Sequence, residues 1–433
     1  MRNKTGKSLL VVSLLLLSVP ALSQKYLTGL DSALFIRDTV RPVVKRFENL
    51  NFSGYIQPQY QVTSTNGAKT YGGGDFSTYS HSRFMLRRAR LKMDYLAVSD
   101  KRLPKALFTF QIDATERSVR VRDMFIRLYE TKNNHFSLTT GIFARPFGYE
   151  VNLSSSYRET PERGRMSQIL VPSERDLGVM ITYEPQEKSA KNKYISANIG
   201  VFNGPGLSAT TDFDNVKDII GRVTLKPVKT AIGKISGGFS ALHGGWRQQS
   251  KYVYEMGSSN TSKDFIVDSA LSNIGKTAPK HYYSGDVQLN WAHGWGATEL
   301  RAEYWTGTQP GTPSASANPE TLPQGPTYIR DFNGAFFYFL QDIINTKNKL
   351  LLKYDWYDPN TKVSGKEIDA TGKNFGAGDI SYTTFGFGYL REITKQVKLT
   401  LYYEIVKNEK TQLSGYTTDL SDNLFTCRIQ YRF

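Results

Sequence analysis

The chain closes on Asn423-Leu-Phe-Thr-Cys-Arg-Ile-Gln-Tyr-Arg-Phe433, a stretch whose two faces differ completely. Phe425, Cys427, Ile429, Tyr431 and Phe433 fall on one side; Thr426, Arg428, Gln430 and Arg432 fall on the other. Successive side chains of a strand point to opposite faces, so one face is apolar and the other polar and basic. A final strand that ends on an aromatic residue of its apolar face suits a wall with lipid outside and water inside. The expected fold class is therefore all-β: a transmembrane antiparallel β-barrel in an outer membrane.

The other end agrees. Arg2, Lys4 and Lys7 precede the apolar run Leu9 to Val19, and Ala21-Leu22-Ser23 reads as a small-x-small cleavage site. Residues 1–23 are thus expected to be a secretory signal peptide, too short and wrongly flanked for a membrane helix. Cleavage removes three positive charges and no acids from a chain of net charge +16, so the mature protein stays basic. Export permits disulfides, yet Cys427 is the only cysteine, which excludes a disulfide framework and any cysteine-based zinc site. No later segment approaches the roughly 18 unbroken apolar residues of a membrane helix. The mean hydropathy of −0.42 fits a barrel, in which only every second strand residue meets lipid.

Period-2 alternation places strands at Phe52–Thr63, Ser82–Leu96, Ala106–Asp113, Val119–Glu130, His135–Phe143, Arg175–Glu184, Tyr194–Asn203 and Asp218–Lys226. The second half gives Ile232–Leu242, His281–Ala292, Ala297–Thr306, Asp331–Gln341, Lys349–Tyr357, Tyr382–Leu390, Gln396–Lys407 and Asn423–Phe433. That is about 16 strands, an even number as a bacterial single-chain barrel requires. Long connections such as 243–280, 307–330, 358–381 and 408–422 alternate with short turns such as Lys226-Pro-Val-Lys-Thr230 and His293-Gly-Trp295. Long extracellular loops and short periplasmic turns produce that rhythm. Residues 24–50, interrupted by Pro42, read as a periplasmic N-terminal segment, and 51–433 as the barrel.

Sixteen strands enclose an aqueous lumen, so function rests on what narrows and charges it. Residues 145–174 form the candidate constriction loop, with Arg145, Arg158, Arg163 and Arg165 inside it and Arg175 at its exit. Guanidinium forks suit phosphate and carboxylate oxygens, and arginines in a narrow pore attract anions. Glu150, Glu159, Glu162 and Glu174 lie in the same segment. Two readings follow: an anion-attracting eyelet, or a structural loop whose arginines and glutamates pair. On the second strand, parity puts Arg88, Arg90 and Lys92 on one face. An Arg or Lys facing lipid at the midplane costs about 2–4 kcal/mol, so that face is luminal. Arg83 and Arg87 have the opposite parity and belong near the outer rim, or a bulge intervenes. Parity also makes Arg127 luminal, along with Arg301, Lys353, Lys398 and Arg428, and acids such as Asp113, Asp123, Glu303 and Glu404 share the lumen.

These residues resemble a family, the phosphate-selective porins O and P of Gram-negative outer membranes. The resemblance rests on Gly54-Tyr-Ile-Gln-Pro-Gln59, Arg87-Arg-Ala-Arg90, Phe110-Gln-Ile-Asp113 and Arg122-Asp-Met-Phe125. It continues in Gly141-Ile-Phe-Ala-Arg145-Pro-Phe-Gly148, the Ser154–Arg163 stretch and Glu174-Arg-Asp-Leu-Gly178. It implies a homotrimeric sixteen-stranded channel with a folded-in loop, and by motif it carries over Arg88, Arg90, Arg145, Arg163 and Arg175. Phosphate-selective members line their channel with arginines and lysines, whereas residues 145–174 here contain no Lys.

The expected partners are small anionic solutes and outer-membrane lipid, with no cofactor and no metal. A general porin, or one for sugars or peptides, is the alternative, and Tyr149 and Tyr157 in the loop would suit it. A barrel enzyme is disfavoured: there is no Gly-x-Ser-x-Gly elbow and no His-Glu-x-x-His motif, and His81 with Ser82 is the only close Ser–His candidate. The basic pI of about 9.5 would fit nucleic acid, but the leader and the terminal strand argue against it.

Overall fold

The computed structural model describes residues 48–99, 103–185, 192–257 and 264–433. The expected signal peptide and almost all of the 24–50 segment lie outside the described residues. Strands run in chain order as β1 (Leu50–Thr63), β2 (Ser82–Val98), β3 (Pro104–Ala114), β4 (Val119–Tyr129), β5 (Phe136–Ala144), β6 (Arg175–Tyr183), β7 (Ile195–Phe202), β8 (Asp218–Thr230) and β9 (Gly233–Arg247). They continue as β10 (Val253–Met256), β11 (Phe265–Asp268), β12 (Thr277–His293), β13 (Gly296–Gly311), β14 (Thr327–Ile343) and β15 (Asn345–Asp358). β16 (Tyr382–Glu392), β17 (Val397–Asn408) and β18 (Leu424–Arg432) complete the wall.

β10 and β11 form a short hairpin in an outer loop, with β10 adding in parallel to the start of β14. The other sixteen strands are the wall, each pairing with its neighbour in sequence, and β1 pairs antiparallel with β18 to close the cylinder. Closure leaves no open sheet edge in lipid, which is the condition for strands to cross a membrane. At the seam, Phe433 N–H donates to Gly54 O (3.1 Å) and Gly54 N–H to Phe433 O (3.2 Å). A Cβ on Gly54 would stand 2.6 Å from the Phe433 ring, so glycine makes room for the terminal aromatic.

Every sequence-read strand is present, and parity sorts the faces as expected: Thr426, Arg428 and Gln430 are buried inside, while Ile429, Tyr431 and Phe433 are exposed outside. Two details differ from the sequence reading. Lys226-Pro-Val-Lys-Thr230 is the end of β8, carried past Pro227 by a register shift between Leu225 and Val228. The bulge absorbs the residue that cannot donate to the ladder. Loop 243–280 is shorter than read, because β9 and β12 extend into it and the β10–β11 hairpin fills the rest.

The outer loops fold on one another. Phe265, Tyr328, Ile368, Phe375 and Ile380 make a small apolar core above the barrel. Beside it the Arg330–Asp379 ion pair (2.8 Å) is fully buried.

Candidate functional site

The loop between β5 and β6 crosses the lumen. It leaves the wall at Phe147, whose buried ring meets Trp305 edge-on at 4.8 Å and Tyr282 at 6.0 Å. Gly148 N–H donates to Ser240 Oγ (3.1 Å), and the next two amides, of Tyr149 and Glu150, donate to the Glu303 carboxylate (2.8 and 2.9 Å). Gly148 has φ +69°, and a Cβ there would stand 2.6 Å from Glu303 Oε1, so this approach requires glycine. The Glu150 carboxylate folds the loop back on itself: it accepts from Gly164 N–H (2.9 Å), Ser167 Oγ (2.6 Å) and Tyr338 OH (2.9 Å). It also faces Lys353 at 3.5 Å. Burial alone would raise its pKa; Lys353 and Arg158 reverse that and hold it below the usual carboxylate range.

The far side of the loop reaches the opposite wall. Ser155 is held by Tyr55 (2.6 Å) and Arg90 (2.9 Å), and Ser156 O accepts from Lys398 and Gln430. Glu159 takes both Nη atoms of Arg301 (2.8 and 2.9 Å), a bidentate geometry. Glu162 receives three guanidiniums, from Arg87 (2.9 Å), Arg88 (2.5 Å) and Arg428 (2.9 Å). The return limb is a short helix, α1 (Arg165–Leu170), whose Met166, Ile169 and Leu170 pack on inward-facing Ile220, Leu242, Tyr282 and Phe332. At the exit, Arg122, Arg158, Arg163 and Arg175 converge on Glu174. Burial pushes the Glu162 and Glu174 carboxyls up, but the surrounding arginines outweigh it and hold both well below the ordinary carboxylate value.

The nine cations picked from the sequence therefore split. Arg88 and Arg90 stand together under the loop, Arg90 pairing Asp113 at 2.8 Å. Lys92 lies lower, on Asp94 at 2.7 Å, and Arg127 donates to Thr139 Oγ1 (3.0 Å). Arg175 bridges Asp123 (3.0 Å) and Glu174 (2.7 Å). The other four shape the loop. Arg145 is buried against Asp218 (3.7 Å) and donates to Gly204 O and Ser173 O. Arg158 donates to Leu153 O (3.1 Å). Arg163 donates to Ser167 O (2.9 Å) and Val171 O (3.1 Å), and burial lowers its pKa to about 10. Arg165 stacks on Tyr382 at 3.7 Å and pairs Asp422 at 3.6 Å. Of the two readings of the loop, the geometry is that of arginines paired by glutamates.

Of the two placements read for Arg87, the outer rim is not the one it takes: it reaches into the lumen. Phe84 is exposed outward while Arg87 and Arg88 both reach Glu162, so the alternation flips between those two residues. Arg122, passed over in the sequence, enters the lumen by the same device: a register shift opposite Gln111/Ile112 lets Arg122 and Asp123 both face in. Bulges re-aim side chains in this way near functional sites. Consecutive charged residues inside a strand were the available signal.

The pairing leaves the two sides of the lumen unequal. On the β1–β6 and β18 side, the arginines at 87, 88, 90, 122, 158, 163, 175 and 428 form direct ion pairs with only the carboxylates of Asp113, Asp123, Glu162 and Glu174 among the described residues, while Glu150 acts on Arg158 and Arg163 at longer range. Across the loop the balance reverses: Lys353 lies between Glu150 and Asp355, Arg301 between Glu159 and Glu299, and Glu303 is held by neutral donors. Arg87, Arg122 and Arg175 keep 25%, 16% and 17% side-chain exposure, so the basic side touches luminal water.

No family model and no curated protein sequence matches the chain. Solved structures do. OprB of Pseudomonas putida at high pH shares the fold with a TM-score of 0.59 at 11% identity, covering 92% of this chain and 97% of that one. The anion-selective porin of Comamonas acidovorans gives 0.54 at 12% identity over 89% and 99%. The outer-membrane channel DcaP of Acinetobacter baumannii gives 0.52 at 13% over 89% and 97%. Among the described residues no helix is long and apolar enough to cross a membrane. The chain has the fold of these porins, a closed antiparallel barrel.

Proposed function

We propose that the protein is a passive outer-membrane diffusion channel that favours small anions, phosphate among them. The observation that carries this reading is the surplus of guanidinium over carboxylate on the β1–β6 side, part of it in contact with luminal water. In a low-dielectric wall such a surplus lowers the energy of an entering anion and raises that of a cation. The measurement is the reversal potential of a single channel in a salt gradient. It is expected on the anion side, and to move toward cations in Arg87→Glu and Arg122→Glu but not when exposed Lys410 is reversed. A cation-side potential in the unaltered protein overturns the reading.

One observation favours solutes with rings, such as sugars. Tyr157, in the luminal loop, is 64% exposed, with Arg432 4.8 Å from its ring. Saturable block of the current by an oligosaccharide, without block by phosphate, would put that reading first. Tyr149 does not join Tyr157; it is part-buried beside Arg301, 5.9 Å from its ring, with burial raising its pKa to about 12.

The channel is proposed to be a homotrimer. β5, β6 and β7 have 9, 9 and 8 residues, against 17, 16 and 17 for β12, β13 and β14. A tilted strand needs about 9–11 residues to span the bilayer core. β5 and β6 sit at that lower limit and β7 falls just below it, and covering this low side with a second protomer removes the mismatch. Ile181→Asn with Ile199→Asn on this face is expected to yield monomers in mild detergent, read by native mass. A monomeric unaltered protein sinks the trimer.

A further inference from the structure

The lipid-facing wall holds a groove of about 510 Å3 on its tall side. Leu289, Leu300, Ala302, Phe339, Leu352 and Phe385 line it, outward residues drawn from β12 to β16. Its hollow has a simple cause. Ala302 is paired with Val287 on one side and Phe337 on the other, so a methyl group stands where its neighbours project large side chains. A smooth barrel needs no such hollow, and disordered lipid fills a depression poorly.

Below the groove, toward the periplasmic end, the outward face turns polar. His293 bonds Thr298 (3.0 Å) and Gln341 bonds His293 (3.2 Å), three outward positions on β12, β13 and β14. On β15, Asn348 accepts from Tyr389 OH (2.5 Å) and is paired with Arg391 of β16. Arg391 is exposed, faces outward by the parity that also exposes Phe385 and Phe387, and has no acidic partner among the described residues. Leu352, in the groove, is four residues up the strand from Asn348, about 13 Å. One leaflet of hydrocarbon is about 15 Å thick. Apolar groove and unpaired cation are thus separated by about the reach of one acyl chain from its headgroup.

We propose that this face binds an anionic phospholipid of the periplasmic leaflet, one acyl chain in the groove and the phosphate at Arg391. Asn348, half-buried beside Arg391, offers an amide hydrogen to the glycerol and ester oxygens. The site rests on the membrane-spanning fold and is independent of solute selectivity.

Native mass spectrometry of the detergent-purified protein titrated with phosphatidylglycerol tests it. A retained lipid per protomer is expected. Arg391→Gln should weaken it about five-fold, the worth of one surface cation. Ala302→Phe, which fills the hollow, should abolish retention while leaving the reversal potential unchanged. Equal retention in both variants overturns the site. So does equal affinity for phosphatidylcholine, which removes the net charge. Loss of oligomer mass in Ala302→Phe with lipid binding intact would make the groove a contact between protomers, and also overturns it.

Discussion

Glu162→Gln is expected to loosen the luminal loop and to move the reversal potential toward anions. One carboxylate holds Arg87, Arg88 and Arg428, all but Arg87 deeply buried. An amide can accept from one of the three forks but carries no charge for the others. Removing one partner of a buried ion pair costs about 3–5 kcal/mol, because the remaining charge is left desolvated. The loop around it weakens too, since Arg428 also donates to Pro161 O (2.6 Å). Current noise and the reversal potential report the two effects, and unchanged values in both would show that Glu162 holds nothing. Acid performs the same neutralisation. A carboxylate whose folded pKa is depressed contributes stability that is complete above its unfolded value, near 4.3, and lost only as pH falls through the folded value. Glu162 and Glu174 both lie well below the ordinary value, so the loop stays docked throughout pH 5–8 and is released only in stronger acid.

The wall was legible in the sequence because lipid and water impose one rule on every strand. Thr109 and Gln111 inside with Phe108 and Phe110 outside, or Arg428 inside with Ile429 outside, follow from parity alone. The rule fails where a strand bulges, as at Arg122-Asp123, because one extra residue reverses all that follows, and it fails at Arg87-Arg88, where both side chains reach Glu162. It also misleads on polarity. Ile220, Leu242, Tyr282 and Phe332 face inward and are apolar, since α1 covers them and no water reaches that part of the lumen. The candidate loop was visible as a cluster of Arg and Glu, but its partners are distant in sequence. Glu159 finds Arg301 and Glu150 finds Lys353, and no spacing rule connects residues 142 or 203 positions apart. Only these contacts between distant residues decide between a ring of free arginines and a paired loop, and they leave a local surplus.

Trp305→Ala is expected to undock the start of the loop and enlarge the pore. The indole is fully buried, packs edge-on against Phe147, and donates from Nε1 to Glu303 (2.7 Å). Glu303 in turn receives the amides of Tyr149 and Glu150. Truncating a buried Trp costs about 3–5 kcal/mol. Here that cost falls on docking rather than on the wall, because β13 keeps its backbone ladders to β12 and β14. A loss of that size lowers the ratio of docked to undocked loop by about two to four orders of magnitude. Single-channel conductance should rise and larger neutral polymers should enter, while the thermal unfolding of the barrel stays near that of the unaltered protein. Trp305→Phe, which keeps the ring contact and loses only the N–H, should fall between. Unaltered conductance and polymer exclusion in Trp305→Ala would mean that the ion pairs at Glu159 and Glu162 hold the loop unaided. The double change Trp305→Ala with Glu162→Gln then separates the two anchors: independent clamps add in energy, whereas a single rigid loop shows coupling between them.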